Sequence, residues 1–219
     1  MTFSTDNSET SPTWRESFLG LLITDVFSSM ERHQAADTQT SRRDLVRTTF
    51  AAIEGVVWTY REHVLDVAKS LNSITSAEEA AFSEISYQVS EIGKVVSQAR
   101  FVPMPSLIRL TTRLAARLSP HFSPNFDGSG WEQFRRAIKI RNRIMHPKTE
   151  SDLLISDRDL ASCNLAFYWI LELTLDGMSA TNLALKGHSI KVRELVESLI
   201  RGDRLALAAY DAAKTELEK

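Results

Sequence analysis

From Leu45 to Leu71 apolar residues recur every three or four positions: Leu45, Val46, Phe50, Ile53, Val56, Val57, Tyr60, Val64, Val67, Ala68 and Leu71. That spacing lays a single apolar stripe along a helix of 3.6 residues per turn, so the segment is expected to pack by one face. Nowhere does a period-two alternation run long enough to predict a strand.

Helix starts punctuate the pattern. A Ser or Thr followed three residues later by an acid, the capping-box spacing, occurs at Thr13 with Glu16, Ser41 with Asp44, Ser76 with Glu79, Ser129 with Glu132 and Ser156 with Asp159. These starts and the periodicity predict an all-α chain, a bundle of six or seven helices. The helices are expected at about 14–33, 42–71, 77–99, 105–118, 130–146, 157–185 and 190–217. The segment SPHFSPNFDGSG at 119–130 reads as the main loop, and residues 1–12 as disordered.

Composition narrows the possibilities. A chain of 219 residues can bury a core without metals or disulfides, and 43% hydrophobic with 25% charged residues is ordinary for a globular protein. A net charge of −2 excludes a general electrostatic attraction to nucleic acid or anionic lipid, so any basic site must be local. The lone Cys163 sits in an apolar run and fits a reducing cytoplasm, the expected location. The N-terminal MTFSTDNSETSPT lacks the basic start and apolar stretch of a signal peptide. LAFYWILELTL at 165–175 is too short to cross a bilayer and contains Glu172, so no membrane association is expected.

One local concentration of charge stands out. Arg135, Arg136, Lys139, Arg141, Arg143 and Lys148 fall between Gln133 and Lys148 with no acid among them. Cations near a helix C-terminus complement the helix dipole at about 0.3–1 kcal/mol each, and need no ligand. At 100° per residue, however, Phe134, Ala137, Ile138, Ile140, Ile144 and Met145 form an apolar arc, and Arg141 falls inside it. Arg135, Arg136, Lys139, Asn142, Arg143 and His146 fill the opposite arc.

A guanidinium facing a packed surface needs a partner, because unpaired burial of charge costs several kcal/mol. Four solutions are open to Arg141: a partner within the chain, Glu54 first; a second subunit; a phosphate in a cleft; or snorkelling of its stem to the helix edge. Pro147 disfavours helical geometry at His146 and ends the helix there, which frees the imidazole from the helical repeat. Asn142, one turn earlier, is placed to hydrogen-bond it or to hold a phosphate.

With WEQFRRAIKIRNRIMHPK followed by the polar turn SDLLISDRDL and a long apolar helix, the chain resembles the HEPN superfamily of helical-bundle proteins. The family signature, an Arg, a polar residue, three further residues and a His at a helix end, is matched by Arg141, Asn142 and His146. FAAIEGVVWTYR is similar to the family's packing helix and places Glu54 where an acid is often found. On this resemblance the chain divides into a disordered N-terminus at 1–12, an accessory helix at 13–40, a HEPN-like bundle at 41–186 and a C-terminal helical arm at 187–219.

The resemblance implies a two-fold homodimer in which both motifs meet in one cleft. It implies a metal-independent endoribonuclease of toxin–antitoxin or antiphage systems, with RNA as substrate, no cofactor, and an antitoxin or defence protein as partner. The subgroup paired with nucleotidyltransferase antitoxins carries a Tyr two residues after the His; here that position is Lys148. On this reading His146 is the acid/base, Arg141 stabilises the phosphorane, and Asn142 positions the scissile phosphate. Arg135, Lys139, Arg143 and Lys148 bind RNA, and Glu54 supports Arg141. The other histidines show no metal-ligand spacing, and no metal site is expected. The alternative is a non-catalytic HEPN-like module binding RNA, nucleotide or a partner protein; a purely structural role, with Arg141 paired to Glu54, is the third.

Overall fold

The computed structural model describes residues 17–217. The disorder expected at 1–12 and the capping pair Thr13 and Glu16 lie outside the described residues. Seven α-helices and one small β-hairpin are present among those described: α1 (Phe18–Ala35), α2 (Gln39–Ser70), α3 (Ser76–Phe82), β1 (Ile85–Val89), β2 (Val95–Ala99), α4 (Met104–Leu118), α5 (Ser129–Met145), α6 (Asp157–Ile200) and α7 (Arg204–Leu217). The chain is an all-α protein with one hairpin. The described residues form two compact units, one of residues 17–60 and 124–175 and the other of 61–123 and 176–217, so α2 and α6 each contribute to both.

In the first unit the stripe of α2 is the core: Leu45, Val46, Phe50, Ile53, Val56, Val57 and Tyr60 are all buried. Trp131, Phe134, Ala137, Ile140 and Ile144 of α5 are buried as well, with Phe167 and Ile170 of α6. The start of α2 is capped three residues before the expected position. Thr38 Oγ1 accepts from the Ser41 N–H at 3.1 Å, and Ser41 Oγ accepts from the Thr38 N–H at 3.0 Å. Gln39 then clamps Ile155, donating to its carbonyl at 3.1 Å and accepting from its N–H at 2.8 Å. Arg42 reaches Asp37 at 2.6 Å and Asp157 at 2.7 Å. These contacts fasten the segment between α5 and α6.

In the second unit Val64, Val67, Ala68, Phe82, Ile108, Leu114 and Ala115 are buried. The capping box of α3 is Thr75 with Glu78, one residue before the expected pair. Arg117 of α4 donates to both oxygens of Glu78, at 2.8 and 2.9 Å, and to the Ser73 carbonyl at 2.7 Å. This guanidinium, aided by the Thr75 N–H, holds the Glu78 carboxyl down to about 2.

Two expectations fail here. The helix expected over 77–99 stops at Phe82, and the remainder is an antiparallel hairpin in which Ile85 faces Ala99, Tyr87 faces Ser97 and Val89 faces Val95. Glu84 (φ 53°) turns the chain out of α3, and Gly93 (φ 75°) closes the loop between the strands. β-Branched and aromatic residues at alternate positions favour the strand, and a helix would have carried Gly93 internally at about 1 kcal/mol. Each strand has only five residues, too few for the alternation to stand out.

The break expected between 185 and 190 is also absent, since α6 runs through Gly187 to Ile200. The chain breaks at 201–203, where the Gly202 N–H bonds the Leu199 carbonyl and the Asp203 N–H bonds the Ser198 carbonyl, each at 3.0 Å. Gly202 has φ 72°, the left-handed conformation this helix ending requires. Asp203 then caps α7 by accepting from Leu205 and Ala206. Among the described residues no helix is long and apolar enough to cross a membrane.

Candidate functional site

Helix α5 carries the basic segment. Gly128 is its N-cap and makes no side-chain capping bond, so the expected Ser129 with Glu132 box does not form. At the other end His146 leaves helical geometry (φ −131°, ψ 58°), as Pro147 dictates, and its backbone N–H bonds the Asn142 carbonyl at 3.1 Å. The His146 imidazole is exposed and takes no hydrogen-bond partner among the described residues.

Arg141 stands within the buried arc defined by Phe134, Ala137, Ile140 and Ile144, yet 31% of its side chain is exposed. Of the four solutions open to it, the one realised is Glu54. Arg141 Nη2 donates to Glu54 Oε1 at 2.8 Å, and Nη1 donates to Asn142 Oδ1 at 3.2 Å. Because Glu54 is itself 44% exposed, the ion pair sits in a high dielectric and contributes only ~0–1 kcal/mol. A guanidinium has five N–H donors in all, so its capacity is not exhausted.

The remaining cations divide into two groups. Arg143 is turned inward: Nη2 donates to the Leu154 carbonyl at 2.9 Å and to Asp159 Oδ2 at 3.2 Å, while its buried Nε has no partner. Arg136 also faces Asp159, at 3.6 Å. Burial acts to raise the Asp159 carboxyl, but bonds from the Ser156 N–H and hydroxyl, with Arg143 alongside, outweigh it and hold the group below the ordinary carboxylate range. Lys148 lies beyond the helix, in a turn where Asp152 Oδ2 accepts from the N–H groups of Lys148 and Thr149, each at 2.9 Å.

Arg135 and Lys139 are exposed and unpaired among the described residues. With Arg136 they line an open cleft of about 540 Å³ whose wall includes Phe126 and Trp131. Trp131 is buried against Phe126, its ring centroid 5.0 Å away, so it serves as wall rather than as a stacking platform.

The structure therefore gathers four of the expected residues on one outward face. Arg135, Lys139, Asn142 and His146 recur at intervals of four, three and four residues, and all are exposed. At 1.5 Å per residue they span about 16 Å. Arg141 and Glu54 sit beside Asn142; Arg143 is drawn away and Lys148 lies past the end.

Asp159 is the residue whose role sequence reasoning undervalued. It appeared only as a cap, but a capping carboxylate at a buried helix start is also placed to attract cations, and Arg136 and Arg143 are the ones it attracts. Among the described residues no group of three or more His, Cys, Asp or Glu side chains could hold a metal ion. No protein-family model, curated protein or solved structure matches the chain.

Proposed function

We propose that the protein is a HEPN-like, metal-independent endoribonuclease acting in a toxin–antitoxin or antiphage setting in the cytoplasm, with its site at the C-terminal end of α5. The observation that carries this reading is the exposed row Arg135, Lys139, Asn142 and His146, with the half-exposed Arg141 guanidinium bonded to Asn142 beside it. Arg135 and Lys139 offer unpaired cations to a phosphate backbone. Asn142 and Arg141 offer N–H donors to the scissile phosphate, and His146 offers an imidazole, a side chain able to take or give a proton.

The reaction this set can perform is transesterification. A neutral imidazole takes the 2′-hydroxyl proton, the 2′-oxygen attacks the adjacent phosphorus in line, and the guanidinium stabilises the added negative charge. The 5′-oxygen leaves with a proton from an imidazolium, and a 2′,3′-cyclic phosphate remains. One His146 cannot hold both protonation states at once. Two copies meeting about a two-fold axis, each contributing Arg141 and His146, would supply base and acid together.

The test is cleavage of a labelled single-stranded RNA in EDTA by wild type, His146→Ala and Arg141→Ala, each shown to be folded by circular dichroism. Cyclic-phosphate ends lost in both variants are expected, with a fall of at least ~10²-fold for His146→Ala, the usual scale of a general base. Cleavage persisting in the folded His146→Ala protein would remove the mechanism. A second reading, a non-catalytic module for RNA, nucleotide or protein, is favoured by the Arg141–Glu54 bond, which already engages the guanidinium within a single chain. Salt-sensitive RNA binding without cleavage would establish it.

A further inference from the structure

The cleft beside the N-terminal half of α5 holds charges of both signs that do not meet. Glu132 has Arg135 three residues on and Arg136 four residues on, the spacings at which an acid and a base on one helix ordinarily pair. Its exposed carboxylate nevertheless takes no partner among the described residues, and Arg135 is likewise unpaired. Arg136 is turned toward Asp159, but at 3.6 Å the contact is longer than a hydrogen bond. With 34% of its side chain exposed, Arg136 keeps N–H donors for a ligand.

The balance of charge argues against a phosphate inside this cleft. Arg135, Arg136 and Lys139 line it together with Asp127 and Glu132, and Asp159 offsets Arg136. A phosphate seated there would face two carboxylates. Buried Trp131 and half-buried Phe126 give the cleft an aromatic wall, which suits a flat, neutral ring with polar edges. Its volume of about 540 Å³ falls within the range of small-molecule sites, roughly 300–1,000 Å³.

Hydrogen-bonding capacity then selects among such rings. The Glu132 carboxylate offers two acceptors side by side and no donor, and the Arg136 guanidinium offers a planar fork of donors and no acceptor. A ring that serves both must carry two adjacent donors on one edge and two adjacent acceptors on another. Of the four RNA bases only guanine does, with N1–H and the N2 amino group on one edge and O6 and N7 on the other. Adenine and cytosine place an acceptor beside their amino group, and uracil flanks its single N–H with carbonyls, so each would set an acceptor against the carboxylate.

We propose that this cleft is a base-recognition subsite for guanine in single-stranded RNA, with Glu132 bonding the donor edge and Arg136 the O6 and N7 edge. The assignment rests on the reading of α5 as an RNA-binding helix, and adds to it the base that is selected. Glu132 and His146 are fourteen residues apart, about 21 Å along the helix, so the recognised guanine lies a few nucleotides from the cleaved bond. Arg135 and Lys139, exposed at the rim, hold the intervening backbone.

The test is fluorescence anisotropy of the full chain with a labelled 2′-O-methyl hexanucleotide, which has no 2′-hydroxyl and cannot be cleaved by transesterification. It is made of uridines with one central guanine, and compared with the same strand carrying adenine there. The guanine strand is expected to bind about tenfold tighter, or more, the scale of a bidentate base contact. Inosine, which lacks the N2 amino group, is expected to lose most of that advantage, and 7-deazaguanine, which lacks the N7 acceptor, part of it. Glu132→Gln, with unchanged circular dichroism, is expected to bind the guanine and adenine strands alike.

Equal binding of guanine and adenine strands by wild type, inosine equal to guanine, or a preference that survives Glu132→Gln would overturn the proposal. So would guanosine monophosphate displacing the strand at the strand's own affinity, because the ligand would then be a free nucleotide. Guanine preference without cleavage of ordinary RNA would end the nuclease reading and leave this subsite standing; cleavage without the preference would do the reverse.

Discussion

Asp159 offers the sharpest perturbation of the candidate helix, because one carboxylate caps α6 and tethers two arginines of α5. Only 14% of its side chain is exposed, and it accepts from the Ser156 N–H at 3.2 Å, the Ser156 hydroxyl at 2.9 Å and Arg143 at 3.2 Å. Asp159→Ala removes the box, worth about 1 kcal/mol. It also strips Arg143, whose Nε is already unpartnered, of its carboxylate. A hydrogen bond to a charged group contributes about 1.5–3 kcal/mol, and the partial exposure of Arg143 argues for the lower end.

The total loss is about 2–3 kcal/mol, a fall in Tm of about 5–10 °C for a chain this long. Asp159→Asn keeps an oxygen for the Ser156 N–H and loses only the charge, so about half of that is expected. The folded carboxyl titrates below its unfolded value, so its contribution is present above the ordinary Asp pKa of about 3.9 and is lost as pH falls through the lower folded value. Urea unfolding followed by far-UV circular dichroism should therefore show the gap between wild type and Asp159→Asn at pH 7 and a narrower one at pH 3. Losses below about 0.5 kcal/mol for both variants, or a gap that widens on acidification, would refute the reasoning.

Other consequences can be read at single positions. Glu54→Gln should lower stability by less than about 1 kcal/mol in the same urea assay, since both partners of its ion pair are substantially exposed. Gly130→Val should cost about 1–3 kcal/mol and alter tryptophan emission, because a Cβ there runs into the Trp169 ring. Cys163 is buried and its thiol is pushed up to about 12 by that burial, so at pH 8 it should react with a thiol-specific reagent only as fast as the chain opens. Gly93→Ala, free of any clash but at φ 75°, should destabilise the hairpin by about 1–2 kcal/mol, measured by hydrogen exchange of the Ser90 N–H.

Much of the fold was legible in local pattern. The stripe of α2 is buried as its periodicity predicts, and α4, α5 and the start of α6 fall within a residue or so of expectation. Capping boxes were less reliable guides, because several hydroxyls near a helix start compete for the same N–H groups. Ser156 with Asp159 forms as written, whereas Thr38 and Thr75 displace Ser41 and Ser76. The hairpin was missed because five-residue strands carry little periodic signal, and because no covered face among the described residues organises their apolar positions.

The candidate site divides along the same line. Position on a helix is a local property, so the wheel placed Arg141 on the apolar side, Pro147 ended α5 at His146, and the outward row from Arg135 to His146 followed from spacing. Which charges meet is not local. Arg141 meets Glu54 across 87 residues of chain, and Arg143 is turned from the outward row by Asp159, sixteen residues on. Such pairings depend on distances between helices, which helical periodicity cannot encode, and packing of the buried stripes settled them.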